Sequence, residues 1–242
     1  GKTNEFTFES LVPLTAYSIQ LSLLDEAGNE SPLSAPLEIQ TGDDTPPVWP
    51  LDSELEATNV TESSMTLTWP KAIDSDSIAE YVVSQDGTQI DSFGAEKTST
   101  EISGLSPWVD YAFEVVAVDP SGLESIGLMR TVKTADNTPP SWSEQFLEFT
   151  TDTNAVTLNW SAASDSGALA GYRVYRDNLF AGQTDALTQT LLVQNVPSEV
   201  ALNWRVEAFD EAGNETIDGP EGEVTLTDVK GPVWPPSAEV KL

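Results

Sequence analysis

Tyr111-Ala112-Phe113-Glu114-Val115-Val116-Ala117-Val118-Asp119-Pro120-Ser121-Gly122 places an apolar side chain at every second position of its first eight residues, then breaks into a turn. A period of two points one face of an extended chain toward a core and the other outward, which is the pattern of a half-buried strand. The turn residues stop it: Pro fixes φ, Gly accepts a left-handed backbone, and Asp and Ser bond nearby amides. Trp204-Arg205-Val206-Glu207-Ala208-Phe209 repeats the alternation and also runs into an aspartate-led turn, Asp210-Glu211-Ala212-Gly213-Asn214. Met65-Thr66-Leu67-Thr68-Trp69 and Ala155-Val156-Thr157-Leu158-Asn159-Trp160 alternate in the same way. Turn signals such as Asp86-Gly87 part these runs, at the spacing of about 8–12 residues typical of a β-sandwich. No stretch keeps the period of about 3.6 residues of a helix, so the chain reads as all-β.

The same runs recur along the chain, and an internal repeat decides the domain organisation. Thr45-Pro46-Pro47-Val48-Trp49 returns as Thr138-Pro139-Pro140-Ser141-Trp142 and, more loosely, as Gly231-Pro232-Val233-Trp234. The tryptophan spacings are 93 and 92. Leu67-Thr68-Trp69 matches Leu158-Asn159-Trp160, and Tyr81-Val82-Val83 matches Tyr172-Arg173-Val174, both at an offset of 91. Asp25-Glu26-Ala27-Gly28-Asn29-Glu30 is repeated letter for letter at Asp210 to Glu215. The period divides the chain into residues 1–44, the second half of a unit; 45–137 and 138–230, two complete units; and 231–242, the opening of another. The Pro-Pro pairs cannot donate to a sheet, so they belong at the unit junction and the edge strand after it. The expectation is a fragment of a longer tandem array. Donor-strand assembly, in which one chain's end completes a neighbour's half-unit, is the weaker reading, because residues 231–242 supply at most one strand.

Composition excludes most chemistries. Against 40 Asp and Glu stand only 10 Lys and Arg, for a net charge of −30, with no His and no Cys. Such a chain repels the phosphate backbone, so nucleic acid is not an expected partner. Without Cys or His there is no thiol nucleophile, no Ser-His-Asp relay and no zinc site of the usual N/S type. Carboxylate chemistry and binding of a hard cation by oxygen remain. With 39% hydrophobic and 21% charged residues the chain is acidic without a disordered composition, because apolar and β-branched residues run throughout. No run approaches the roughly 18 apolar residues of a membrane span, so direct membrane insertion of this segment is not expected.

Taken together, the Pro-rich unit starts, Trp69 and Trp160, and the strands beginning at Tyr81 and Tyr172 resemble the fibronectin type III domain in its bacterial extracellular form. Leu105-Ser106-Pro107 with Tyr111, and Leu11-Val12-Pro13 with Tyr17, resemble that family's tyrosine corner before strand F. Val196-Pro197 is followed by Leu202 instead, a departure that removes the corner hydrogen bond from that unit. The resemblance implies tandem immunoglobulin-like β-sandwiches in an elongated array. It also implies that the N-terminus, the B–C loop and the F–G loop of each unit share one end.

Acidic residues recur at those three places. They lie in the linkers Asp43-Asp44-Thr45-Pro46-Pro47 and Asp136-Asn137-Thr138-Pro139-Pro140, and in the B–C loops Asp74-Ser75-Asp76-Ser77 and Ser164-Asp165-Ser166-Gly167. The F–G turns open with Asp119 and Asp210. Gathered carboxylates repel unless a cation offsets them, and Ca2+ takes six to eight oxygen ligands. The linkers also resemble the Asp/Asn-x-Pro junctions of cadherins and the Asp-x-Ala-Gly-Asn elements of bacterial repeat adhesins, in which Ca2+ stiffens the array. That resemblance makes Asp43, Asp44, Asp74, Asp76, Asp119, Asp136, Asn137, Asp165 and Asp210 the candidate metal ligands, although no complete cadherin ligand set is present. The competing reading is local: Asp in a Gly-Asn turn caps its own loop through backbone amides.

Of seven tryptophans, Trp69 and Trp160 are expected in the core, and Trp49, Trp142 and Trp234 over the sandwich end or the joint. A sugar-stacking platform is the less favoured reading for the latter. Paired-carboxylate glycosidase chemistry needs a cleft that a small sandwich does not offer. Asn29-Glu30-Ser31, Asn59-Val60-Thr61 and Asn214-Glu215-Thr216 match the N-glycosylation sequon, but the bacterial character of the repeats argues against its use. The expected function is a non-enzymatic stalk, shaft or adhesive segment of a secreted or cell-surface protein. Its partners would be neighbouring domains of its own chain and a surface or matrix protein or glycan. The alternatives are an accessory segment of a polysaccharide-degrading enzyme with weak carbohydrate binding, and an extracellular filament subunit.

Overall fold

The computed structural model describes residues 5–228 and 231. The chain divides into two compact units, one of residues up to 60 with 64–103 and 110–133, the other of 61–63, 104–109 and residues from 134 onward. Trp234 and most of the segment expected to open a further repeat lie outside the described residues.

The first unit begins with an antiparallel ribbon, β1 (Ala16–Ile19) and β2 (Leu37–Gln40), in which Tyr17 faces Ile39. The Tyr17 hydroxyl accepts the Val12 N–H, at 2.9 Å, which is the tyrosine-corner bond that the sequence motif suggests. Ile19, Leu21 and Leu23 fall where Phe113, Val115 and Ala117 stand one repeat later. Among the described residues no second sheet pairs with this ribbon, and Leu21 and Leu23 remain 69% and 77% exposed.

Seven strands follow: β3 (Glu56–Thr58), β4 (Ser64–Thr68), β5 (Glu80–Gln85), β6 (Thr88–Gly94), β7 (Ser99–Ser103), β8 (Asp110–Val118) and β9 (Leu128–Lys133). They form a three-stranded sheet, β3-β4-β7, and a four-stranded sheet, β6-β5-β8-β9, all antiparallel. The period-two reading is realised residue by residue. Met65 and Leu67 of β4 and Tyr81 and Val83 of β5 are buried, as are Phe113, Val115 and Ala117 of β8. Trp69 meets Tyr81 edge-on at 5.8 Å and stacks on Phe93 of β6 at 6.2 Å, so aromatic contacts tie the two sheets together.

The second unit repeats this plan with β10 (Ser141–Trp142), β11 (Leu147–Asp152), β12 (Ala155–Trp160), β13 (Ala163–Ser164), β14 (Leu169–Arg176), β15 (Leu179–Asp185), β16 (Thr190–Gln194), β17 (Ala201–Asp210) and β18 (Glu221–Thr225). Its sheets run β11-β12-β16 and β15-β14-β17-β18, with a short β10-β13 pair beside them. The core gathers Val156, Leu158 and Trp160 from one sheet and Tyr172, Val174, Trp204, Val206 and Ala208 from the other. Leu202 is itself buried, so the unit that lacks the corner tyrosine fills the place with an apolar side chain.

Both units share an aromatic arrangement. Trp49 stacks on Tyr81 at 5.9 Å and Trp142 lies against Tyr172 at 5.8 Å, opposite Trp69 and Trp160. The Tyr81 and Tyr172 hydroxyls accept the N–H groups of Ala72 and Ala163, at 2.9 and 3.0 Å. The tryptophan after each Pro-Pro pair therefore packs into the sandwich that follows it, and the linker is held against that sandwich.

One residue breaks the alternation. Glu207 sits on the outward side of β17, between buried Val206 and Ala208, yet is only 2% exposed. The Thr216 hydroxyl and the Gly219 N–H donate to its Oε2, at 2.6 and 3.2 Å. Arg205 Nε lies 2.6 Å from Oε1, at ion-pair distance but poorly aligned as a hydrogen bond. Burial pushes this carboxyl above the ordinary glutamate range, and the two hydrogen bonds and Arg205 only partly oppose it. The folded state therefore holds the proton more tightly than the unfolded chain, so this group adds stability as the pH falls through its raised value. Glu207→Gln, which cannot titrate, is expected to lose that gain. Urea unfolding of both proteins over a pH series checks this: the stability difference should change between the raised value and the ordinary glutamate range and stay flat above the raised value.

Candidate metal centres

Each complete repeat brings three carboxylates together at one end of its sandwich. In the first unit they are Asp43, Asp74 and Asp119, and in the second Asp136, Asp165 and Asp210, with one oxygen of each residue within 4.8 Å of the others. Two ligands on opposite sides of a Ca2+ with bonds of about 2.3–2.6 Å stand at comparable separation.

Local backbone chemistry sets each position. Two-residue bridges hold the linker beside the loop that carries the second aspartate: Val48 pairs with Ile73, and Ser141 with Ser164. The loop aspartates close turns on themselves, with Asp76 N–H donating to Asp74 Oδ1 at 2.8 Å and Gly167 N–H to Asp165 Oδ2 at 2.7 Å. The third aspartate opens the turn after the long strand. Asp210 Oδ1 accepts the N–H groups of Gly213 and Asn214, at 2.7 and 2.8 Å, and Gly213 takes the left-handed φ of +98° that the turn demands. Asp119 Oδ1 accepts the Leu123 N–H at 2.8 Å. The local-capping reading of these turns is thus correct for one oxygen of each residue.

The other oxygens differ. Asp74 Oδ2, Asp119 Oδ2, Asp136 Oδ2 and Asp165 Oδ1 are buried without any hydrogen-bond donor. Asp119 and Asp210 are each 2% exposed and Asp136 is 6% exposed. A buried anionic oxygen without a partner is costly and rare in a native protein. Burial pushes the Asp136 carboxyl above its ordinary range, with the charges of Asp165, Asp210 and Glu62 adding to the shift and the Thr138 N–H opposing it. Asp43 is held below its ordinary range, first by the Thr45 N–H, then by the hydroxyls of Thr45 and Ser75.

Six of the nine candidates therefore meet in two triads. Asp44, Asp76 and Asn137 are exposed and stand outside them. Asn137 contributes its backbone N–H, which donates to Glu62 Oε1 at 2.7 Å, while the Thr138 hydroxyl donates to the same oxygen at 2.9 Å. Glu62 is a residue the sequence did not single out, because nothing in its spacing distinguishes it from the other acids. Asn214 is another: its carboxamide nitrogen donates to Asp210 Oδ2 at 2.8 Å and to the Asp136 carbonyl at 3.1 Å, fixing the linker to the turn.

An antiparallel sandwich of three plus four strands, with Greek-key order and the loops of one end carrying the candidate site, defines an immunoglobulin-like domain of the fibronectin class. Residues 48–127 match the family model of the fibronectin type III domain, and the chain is built of tandem fibronectin type III domains. Its relatives include Exoglucanase B of Cellulomonas fimi, 33% identical over 77% of this chain and 17% of the relative. Chitinase A1 of Niallia circulans is 28% identical over 73% of this chain and 26% of the relative. Endoglucanase B of Cellulomonas fimi is 29% identical over 92% of this chain and 22% of the relative. The chain thus corresponds to about a quarter or less of the length of these relatives. Among its described residues no helix is long and apolar enough to cross a membrane.

Proposed function

We propose that this segment is a non-catalytic spacer of an extracellular protein, and that Ca2+ bound by each aspartate triad fastens the linker to the sandwich that follows it. The observation that carries the reading is the recurrence, in both complete repeats, of three carboxylates at one end of the sandwich, two of each three with a buried oxygen that has no donor. Three carboxylates supply three to six oxygens, and backbone carbonyls and water complete the shell that Ca2+ prefers. A cation held there removes the mutual repulsion and ties three separate segments together, so the linker loses freedom and the array becomes a semi-rigid stalk.

The names of the relatives favour a particular setting for such a stalk. Two glucanases and a chitinase contain stretches similar to this chain, so the segment fits the part of a polysaccharide-degrading enzyme that spaces its other domains. An adhesin shaft and a filament subunit use the same mechanics. In each setting the immediate partners are neighbouring domains, with a surface or matrix protein or glycan beyond them.

Small-angle X-ray scattering of the 242-residue chain, metal-stripped and then with millimolar Ca2+, tests the stiffening. The expected result is a narrower distribution of interatomic distances with Ca2+, reversed by chelator. Superimposable profiles would remove the mechanical role.

A further inference from the structure

The two triads are not built alike, and the first difference lies in one residue of the loop between the second and third strands of each sandwich. Aligned on the repeat, Asp74 corresponds to Asp165 and Asp76 to Gly167. A Cβ placed on Gly167 would lie 2.1 Å from Asp136 Oδ2 and 3.2 Å from Asp165 Oδ2. No atom tolerates the first distance, so Asp136 closes over the loop only because position 167 has no side chain. Gly167 does not take a left-handed φ, which makes the requirement one of space and not of backbone freedom. Asp76 carries the β-carbon that Gly167 lacks, and the first triad is correspondingly more open. Asp43 is half-buried and its oxygens already accept from Thr45 and Ser75, whereas Asp136 is 6% exposed with Oδ2 unpartnered.

We propose that Gly167 is a positioning residue that makes the Asp136-Asp165-Asp210 triad the tighter of two unequal Ca2+ sites, loaded before the Asp43-Asp74-Asp119 triad. The inference rests on the Ca2+ reading above and adds a ranking to it. Affinity for Ca2+ follows the rigidity of the ligand set as well as its charge. In the second triad the ligands are held in advance: Asn214 fixes both Asp210 and the linker carbonyl of Asp136. Leu123, which stands where Asn214 does in the repeat, has no such donor. In the first triad the cation must also draw Asp43 away from two hydroxyls that already stabilise its charge. The array then responds to Ca2+ in two steps, with one linker fastened at low concentration and the other only as the concentration rises.

Calorimetric titration of the metal-stripped 242-residue chain with Ca2+ tests the ranking. Two resolved steps are expected, separated by about tenfold or more, the size of effect that supporting residues exert on metal affinity. Gly167→Ala is expected to weaken the tighter step by about 10- to 100-fold and leave the weaker one unchanged. Asp76→Gly, which acts in the other unit, is expected to move the weaker step toward the tighter, so a folding defect in one variant does not spoil the test. Melting in chelator monitors the fold of each variant independently of the metal. Two steps of equal affinity, or a tighter step untouched by Gly167→Ala, would overturn the ranking and leave the Ca2+ reading standing. No heat at all from the unaltered chain overturns both.

Discussion

Trp204→Ala is expected to lower the stability of the second sandwich by about 3–4 kcal/mol, toward the low end of the range for large aromatic truncations. Trp204 is 1% exposed on β17 and belongs to the core formed with Trp160, Tyr172 and their neighbours. Truncation forfeits the transfer free energy of the indole and leaves a cavity that rigid strands on both sides cannot close. The lower end of the range applies because the Trp204 indole N–H is already buried without an acceptor. Removing it relieves a cost of about 1–3 kcal/mol, the penalty of an unpaired buried donor. A domain of this size has only about 5–15 kcal/mol in total, so the variant spends a substantial part of its margin. Urea unfolding followed by circular dichroism measures the loss. A loss below about 1 kcal/mol, the level of ordinary surface changes and their neighbours, would show that the core is not packed as described.

The second large effect concerns Asp210 and separates its two duties. Asp210→Ala removes both the turn cap, with its bonds from Gly213 and Asn214, and a metal ligand. It is expected to cost about 1–2 kcal/mol without any metal, as loss of a capping side chain does. It should also cancel the extra stabilisation by Ca2+ at that site, about 2.7 kcal/mol when Ca2+ stands at a hundred times its dissociation constant. Asp210→Asn keeps an oxygen for the Gly213 and Asn214 backbone amides but loses the charge and the acceptor for the Asn214 carboxamide. Its metal-free stability is expected to lie above that of Asp210→Ala, because the turn keeps its cap and one of three mutually repelling carboxylates is gone, although the bond from the Asn214 carboxamide is given up. Its melting temperature should nonetheless gain less from Ca2+. Thermal melts of the three proteins in chelator and in Ca2+ distinguish these duties. An Asp210→Asn melting shift equal to that of the unaltered chain would remove this aspartate from the metal site.

The strands that carry the core were legible because their environment is one-sided. In β4, β8, β12 and β17 a buried face alternates with an outer one, so hydrophobic side chains recur with the period of the backbone. The repeat then placed Asp74, Asp119, Asp165 and Asp210 at matching positions, and the fibronectin resemblance supplied the common end at which they meet. What sequence spacing does not carry is the direction of a side chain within a turn. Asp43 and Asp44 are adjacent, yet only Asp43 reaches the triad, and the same holds for Asp74 against Asp76. Burial on the outer face was equally hidden. Glu207 has the parity of a solvent position, and only the segment through Thr216 and Gly219 folding over it makes it interior. Gly167 read as an ordinary loop glycine, since its meaning depends on the distance to Asp136, thirty-one positions earlier.

Acidity also acquires a location. Part of the −30 net charge is gathered in two triads that hold buried oxygens without donors, where it is costly without a cation; most of the other described acids lie on exposed or half-buried positions where water screens them. Uptake of Ca2+ by those triads is read from the metal-to-protein ratio after equilibrium dialysis. The chain is dialysed against millimolar Ca2+ beside the Asp119→Asn/Asp210→Asn double variant, and bound metal is counted by atomic emission. Two Ca2+ per chain are expected, one for each triad, and a ratio near zero for the double variant. A ratio near zero for the unaltered chain, or an equal ratio for both proteins, would contradict uptake by the triads.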